Sequence, residues 1–222
     1  MLRKIGLIGG TGDIGSGLAV HFARKFDIVF IGSRSKEKAQ NTVKEITREQ
    51  LEDVKIGDHL IAESNEAVIQ NCENLVLTVP YAAAVDTVTD LAQLFTENQL
   101  LISAVAAIKK SSKEFVAAND ALSVSESIQK LLPRVRVAAA FQTLPARILY
   151  TKREIDADVF VSCDEKDTFA RVAEIVSSIQ GARPLYAGTL ELSREIEGLT
   201  ALLLNSAQNS HLKNPTLKVF SF

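Results

Sequence analysis

Near its beginning the chain has a short apolar run, Lys4-Ile5-Gly6-Leu7-Ile8, which meets a cluster of glycines, Gly9-Gly10-Thr11-Gly12-Asp13-Ile14-Gly15. Leu18, Ala19, Phe22 and Ala23 then recur at helical spacing. A strand that passes through a glycine turn into a helix leaves few folds open. Gly10, Gly12 and Gly15 have the G-x-G-x-x-G spacing of a dinucleotide-binding turn. In such a turn Gly10 permits the tight bend, Gly12 lets the backbone approach a pyrophosphate, and Gly15 lets helix and strand pack closely. The start of the helix, around Thr11, Asp13 and Ile14, then offers free N–H groups and a positive dipole end to the phosphates.

The rest of the chain repeats this strand-then-helix order. Asp27–Ile31, His59–Ala62, Asn74–Pro80, Leu100–Val105, Arg134–Phe141, Ala157–Cys163 and Pro184–Ala187 read as strands. Helical spacing fits Lys36–Arg48, Glu66–Asn71, Ala82–Leu94, Ser125–Leu132, Lys166–Ile179 and a long last helix, Glu191–Ser210. Glu49–Gly57 is polar and poorly defined, and Ala106–Leu132 is rich in Lys, Ser and Ala up to its helix. The alternation predicts right-handed βαβ units and an α/β, Rossmann-type, doubly wound and mostly parallel sheet. The last strands and the long helix are expected to extend that sheet or to form a small lobe on it.

Composition narrows the function classes. A net charge of −2 gives a nucleic-acid role no electrostatic support. Cys72 and Cys163 are too few for a disulfide scaffold and match no metal site, so each reads as a small buried apolar residue. No apolar run reaches the roughly 20 residues of a membrane span, and the chain opens directly on a strand rather than a signal peptide. A cytoplasmic location is the expectation.

The end of the second strand distinguishes the two nicotinamide cofactors. An NAD site places an acid there to bind both ribose hydroxyls. Here the residues are Gly32-Ser33-Arg34-Ser35, followed by Lys36 and Lys38. Arg34 can offer a planar donor fork to the 2′-phosphate of NADP, Ser33 and Ser35 hydroxyl donors, and Lys38 a charge. Lys36 reads as part of a solvated helix start. At the ends of the next strands, Thr78, Val79, Pro80, Ala104 and Val105 are expected to pass beneath the ribose and the nicotinamide. Residues 1–142 are therefore expected to form the NADP-binding domain, and 143–222 a smaller α/β region that completes the substrate cleft.

The run Gly9–Ala19 and Gly32-Ser33-Arg34 resemble the NADP-dependent coenzyme F-420 oxidoreductases. The likeness continues at Val76–Pro80, Thr143-Leu144-Pro145-Ala146, Gly181–Gly188, Ser193-Arg194, Leu199-Thr200 and Leu204-Asn205, in the family's order and over nearly the whole chain. The segment from Gly181 to Asn205 is the more specific part, and the NADP-binding domains of membrane metalloreductases resemble it as well. The resemblance implies reversible hydride transfer between reduced coenzyme F-420, a 5-deazaflavin, and NADP. Such transfer needs two stacked rings and neither a nucleophile nor a metal. No side chain is therefore expected to be catalytic, which suits a chain with three histidines. The family carries His where Gln142 stands here and Ser where Gly198 stands. Glutamine can donate to a ring carbonyl but does not titrate near neutral pH.

Gln142, Thr143, Leu144, Pro145 and Thr200 are the expected second-substrate residues, with Leu144 and Pro145 as an apolar wall. Lys109, Lys110 and Arg147 could meet the acidic tail of the deazaflavin or be plain surface charge. A Tyr-x-x-x-Lys pair is absent, because Val85, Glu154 and Leu190 lie four residues after the tyrosines. Ala201, four before Asn205, excludes the Lys of a hydroxyacid dehydrogenase. The residues leave open a flavin or ferric reductase and an NADP-binding sensor without catalysis. The apolar stretch Leu199–Leu204 predicts either a homodimer face or burial within the monomer.

Overall fold

The computed structural model describes residues 3–50, 56–118, 121–151 and 154–221. The first unit is β1 (Lys4–Ile8), α1 (Asp13–Phe22), β2 (Ile28–Ser33) and α2 (Lys36–Glu49). A short α3 (Ile56–His59), β3 (Leu60–Ser64), α4 (Asn65–Asn71), β4 (Asn74–Leu77), α5 (Tyr81–Leu91) and β5 (Leu100–Ser103) follow. Then come β6 (Ile108–Ser111), β7 (Glu114–Ala117), α6 (Val124–Leu131), β8 (Arg136–Ala139) and α7 (Ala146–Thr151). The chain closes with β9 (Ala157–Ser162), α8 (Lys166–Ser177), β10 (Ala182–Gly188) and α9 (Ser193–Asn209).

Eight strands form one sheet in the order β10-β9-β8-β5-β4-β1-β2-β3. Pairing is parallel except between β8 and β9, which meet antiparallel at Ala139 and Ser162. The sheet is therefore Rossmann-type, and β9 and β10 continue it rather than standing apart. The chain order reverses between β1 and β4, so the crevice for a ligand opens at the C-terminal ends of those two strands.

Strand periodicity divides the core into two. Ile5, Leu7, Ile31, Val76 and Ile102 face one way and pack with Leu18 and Phe22 of α1, Leu149 of α7 and Val172 and Val176 of α8. Ile8, Phe30, Leu75, Leu77 and Leu101 face the other way, against Val68 of α4, Val88 of α5 and Ile128 of α6. A sheet covered on both faces requires near-continuous apolar strands, which is why these runs read as buried from the sequence.

The structure adds two elements that were not read from the sequence and shortens three strands. Within residues 106–118, β6 and β7 form an antiparallel hairpin outside the main sheet. Its strands are half polar, and its anchor is remote: the Asn205 amide of α9 accepts from Phe115 N–H at 2.8 Å and donates to Phe115 C=O at 2.7 Å. The segment after Pro145 forms α7, a six-residue helix whose Leu149 is buried. The strands expected to reach Pro80, Val105 and Phe141 leave regular pairing at Leu77, Ser103 and Ala139, because their last residues turn into the crevice. Within the polar stretch 49–57, residues 51–55 lie outside those described.

Candidate functional site

The left-handed backbone of the glycine turn falls at Gly9, φ +72°, rather than at Gly10. The Gly9 N–H donates to Asn65 Oδ1 at 3.1 Å, and the Gly10 N–H to Gly32 C=O at 2.9 Å. Gly10 is needed for packing: a Cβ there would come 2.7 Å from Leu7 Cβ. Gly15 plays the expected part, since a Cβ on it would stand 2.6 Å from the Gly10 Cα. Gly12 is the N-cap of α1 and supplies no side-chain acceptor to it. The N–H groups of the first turn are thus left for a ligand, at the positive end of the helix dipole.

At the end of β2 the side chains are ordered locally. Ser33 is buried, and its hydroxyl accepts from the Ser35 N–H at 3.3 Å. Ser35 caps α2 by accepting from the Lys38 N–H at 3.3 Å. Lys36 turns away and pairs with both oxygens of Glu63, at 3.0 and 2.9 Å. Arg34 is exposed, and among the described residues it has no carboxylate partner. Arg34 and Lys38 line the same cavity as Thr11, Gly12, Asp13 and Ile14.

That cavity, of about 700 Å³, continues past the ends of β4, β5 and β8 to α9. Thr78, Val79 and Pro80 line it, with Ala104 and Val105, then Gln142, Leu144 and Pro145, and finally Thr200. The Thr78 N–H and O–H both donate to Ile8 C=O, at 3.0 and 3.1 Å, and the Ala104 N–H donates to Leu77 C=O at 3.1 Å. These bonds carry the sheet's order into the loops. Gly10, Gly15 and Thr143 do not line the cavity; Thr143 is buried below it, and the two glycines hold its floor together. A separate hollow of about 760 Å³, around Gln129, Pro133, Arg136 and Glu165, contains none of these residues.

The Gln142 side chain is 5 % exposed and spends one donor within the protein: Nε2 donates to Ser103 C=O at 3.1 Å. Its Oε1 is buried without a partner among the described residues. One Nε2–H is thus taken by the protein, and the other remains of the two donors that the amide carries. Phe141, immediately before it, is buried at φ +76°, a conformation costly to a side chain of that size. The Thr200 hydroxyl donates to Gln142 C=O at 3.1 Å and, at 3.4 Å, to Ile196 C=O one turn back. It ties α9 to the end of β8 while lining the cavity.

Sequence reasoning passed over Asn65, Tyr81, Ala106 and Leu204, which also line this cavity. Asn65 had a usable signal, a polar residue directly after a strand beside the glycine turn. Tyr81, directly after Pro80, had the same kind of signal, and Leu204 was read only as part of the apolar stretch of the last helix. Of the three candidate cations for an acidic tail, Lys109 reaches the rim, with Nζ 5.9 Å from the centroid of the Tyr81 ring. Lys110 lies over Phe115 of the hairpin at 5.8 Å. Arg147 lines a smaller neighbouring cavity of about 440 Å³ with Glu45, Glu49 and Tyr150.

Comparison with known proteins places this arrangement among redox enzymes. Residues 4–107 match the family described as NADP oxidoreductase, coenzyme F420-dependent. The F420-dependent NADP reductase of Methanothermobacter thermautotrophicus is 30 % identical, over 99 % of this chain and 95 % of that one. The F420-dependent NADP reductase of Methanocaldococcus jannaschii is 31 % identical, over 90 % of this chain and 91 % of its own. A crystal structure from Arthrobacter sp. FB24 shares the fold across the full length of both chains, with a TM-score of 0.82 at 19 % identity.

Proposed function

The chain belongs to the family of coenzyme F420-dependent NADP oxidoreductases, and on that premise we propose that the cleft at the C-terminal ends of β1 and β4 carries out reversible hydride transfer between reduced coenzyme F420 and NADP. The observation that carries the reading is the continuity of the cleft: one cavity joins the glycine turn and Arg34 to Leu144, Pro145 and Thr200. The residues present fit the dinucleotide. The uncapped N-terminus of α1 supplies donors for the pyrophosphate, and Arg34, with Ser33 and Lys38 nearby, supplies them for the 2′-phosphate. Thr78–Pro80, Ala104 and Val105 form the wall toward the nicotinamide end.

The two cofactors supply the chemistry when bound: a hydride leaves carbon 5 of the reduced deazaflavin for carbon 4 of the nicotinamide, and one proton is released. The protein's part is to bind, to orient and to exclude water. Leu144 and Pro145 provide the apolar wall for the second ring, with Gln142 beside them at the end of β8. The residues after 142 thus complete the substrate side of the cleft. Hydride transfer requires the rings at near-attack distance, about 3–3.5 Å, so a rigid cleft is the main catalytic device.

The test is to mix the purified protein with NADPH and oxidised coenzyme F420, and in parallel with flavins and ferric chelates. Stoichiometric loss of NADPH and oxidised F420 is the expected result. Turnover of a flavin or a chelate alone would make the protein a reductase of that acceptor. NADPH binding without turnover of any acceptor would make it a sensor.

The same reading includes a homodimer. On α9 only Ile196 and Ala201 are buried apolar residues, whereas Leu202 is 60 % and Leu204 38 % exposed, with Leu192 and Leu212 exposed nearby. A second copy would cover this strip. Light scattering of the protein and of Leu202→Glu is expected to give a dimer and a monomer; a monomeric parent protein removes the proposal. No helix among the described residues is long and apolar enough to cross a membrane. The two cysteines are buried thiols, raised by burial to about 12 at Cys72 and about 11 at Cys163. They suit a cytoplasmic enzyme.

A further inference from the structure

Glu197 lies on α9 one turn before Thr200, and it is 2 % exposed. Its Oε2 accepts from the Ala107 N–H at 3.3 Å, and its Oε1 from the Val124 N–H at 3.1 Å. Ala107 follows Ala104, Val105 and Ala106, which form the cavity wall beyond β5. Val124 is the first residue of α6. One buried carboxylate therefore bolts three pieces together: the wall beyond β5, the start of α6 and the helix that carries Thr200.

Burying a carboxylate is costly, and closing α6 does not require it. That helix already has a complete capping box, in which the Ser123 hydroxyl accepts from the Glu126 N–H at 3.0 Å and Glu126 Oε2 accepts from the Ser123 N–H at 2.7 Å. The Ser123 hydroxyl also meets the Ser193 hydroxyl at 2.6 Å, so α6 is joined to α9 without Glu197. What Glu197 adds is a bond to the Val124 N–H and, away from α6, the bond to Ala107. Ala107 is held on its other side, where its C=O accepts from the Ala118 N–H of the hairpin at 2.7 Å. The two ends of the cleft wall are thus referred to α9, at Glu197 from β5 and at Thr200 from β8.

We propose that Glu197 is a positioning residue for hydride transfer, fixing the Ala104–Ala107 wall relative to α9 and with it the separation of the two rings. The proposal rests on the function argued above. It assigns Glu197 no contact with either ring. Its leverage comes from distance: a misplacement of about 1 Å costs hydride transfer on the order of a hundredfold. In Glu197→Gln one side-chain oxygen is replaced by a donor that faces a backbone N–H, so one of the two bonds is lost and the wall is free to shift. Glu197→Asp keeps the carboxyl group but is one methylene short of reaching both donors.

The experiment compares the parent protein with Glu197→Gln and Glu197→Asp by three readouts. In single-turnover mixing at saturating NADPH and oxidised F420, both variants are expected to transfer hydride about tenfold more slowly, with the loss in kcat rather than KM. The affinity for 2′,5′-ADP, which occupies only the Arg34 end, is expected to stay within about twofold of the parent. The fluorescence of bound NADPH, which senses the nicotinamide end without any second substrate, is expected to shift toward that of free NADPH. Parent-like transfer and fluorescence in either variant would overturn the proposal. So would a loss of 2′,5′-ADP affinity as large as the loss in rate, because that would mark a general loosening. If the parent itself fails to reduce F420, the proposed function falls, and the NADPH fluorescence still decides whether Glu197 positions the wall.

Discussion

Arg34 is the residue proposed to select between the two nicotinamide cofactors. It follows Ser33 at the end of β2, it has no carboxylate partner among the described residues, and it lines the cavity. A charge-assisted bond to a phosphate is worth about 1.5–3 kcal/mol, or roughly ten- to a hundredfold in affinity. Arg34→Ala should therefore weaken NADPH by that factor and leave NADH nearly unchanged, as measured by calorimetric titration of both. Equal weakening of the two would remove Arg34 from the phosphate. Its place on the cavity was legible in the sequence because topology alone puts the end of the second strand at the crevice. Gln142 was legible only in part. Its place at the end of β8 followed from the strand pattern, but its hydrogen-bond partner did not. The carbonyl that takes one of its N–H groups belongs to Ser103, 39 positions away on β5. The turn glycine shows the same limit, since Gly9 and Gly10 have identical chemistry and only the path of the backbone gives Gly9 the positive φ.

Among the elements, the ones whose presence and type were read correctly are those whose own residues declare a period. The helices α2 and α8 have apolar stripes, and β1, β4 and β5 are continuous apolar runs, the last two shorter than read. The hairpin β6–β7 escaped because its pairing partner in the fold, Asn205, is 90 residues distant and its own side chains are largely polar. The segment after α9 is another element defined by remote contacts. Asp158 on β9 is completely buried, and the Arg183 guanidinium, in register on β10, grips both of its oxygens at 2.7 Å and holds its carboxyl below the usual carboxylate range. The chain past α9 closes over this pair: the Asp158 N–H donates to Leu217 C=O at 2.9 Å, and the Val219 N–H donates to Asp158 Oδ2 at 2.6 Å. Removing one partner of such a pair strands a buried charge, whereas removing both does not. Arg183→Met should thus lower the melting temperature more than Arg183→Met combined with Asp158→Asn. A double variant that melts below the single one would show that Arg183 acts by packing rather than through Asp158.

For the molecule as a whole, the two faces of the sheet carry buried titratable groups of opposite sense. His21 of α1 belongs to one face. Burial, reinforced by the nearby Arg24 cation, pushes its pKa down from 6.5 to about 4. The unfolded chain takes up that proton first, so the stabilisation is lost as pH falls from about 6.5 toward 4. Glu197 stands on the other side, between α9 and α6. Burial pushes its carboxyl up from 4.5 to about 7, with Glu126 adding to the rise, while the Ala107 and Val124 N–H groups and Arg194 oppose it. Here the folded chain keeps the proton longer, so the contribution is full below about 4.5 and is lost as pH rises through 7. Between those limits each group tilts stability by up to about 1.4 kcal/mol per pH unit, and the two slopes oppose. Denaturant unfolding of the parent protein should accordingly show a shallow pH dependence between roughly pH 5 and 6, where the two titrations overlap. Substituting His21→Gln leaves the Glu197 slope uncovered, so the stability of that variant relative to the parent should fall as pH rises. Glu197→Gln leaves the His21 slope, and its relative stability should climb over the same interval. If the two difference curves ran in the same direction, at least one of these groups would carry its ordinary protonation in the folded chain, and the compensation between the two faces would not exist.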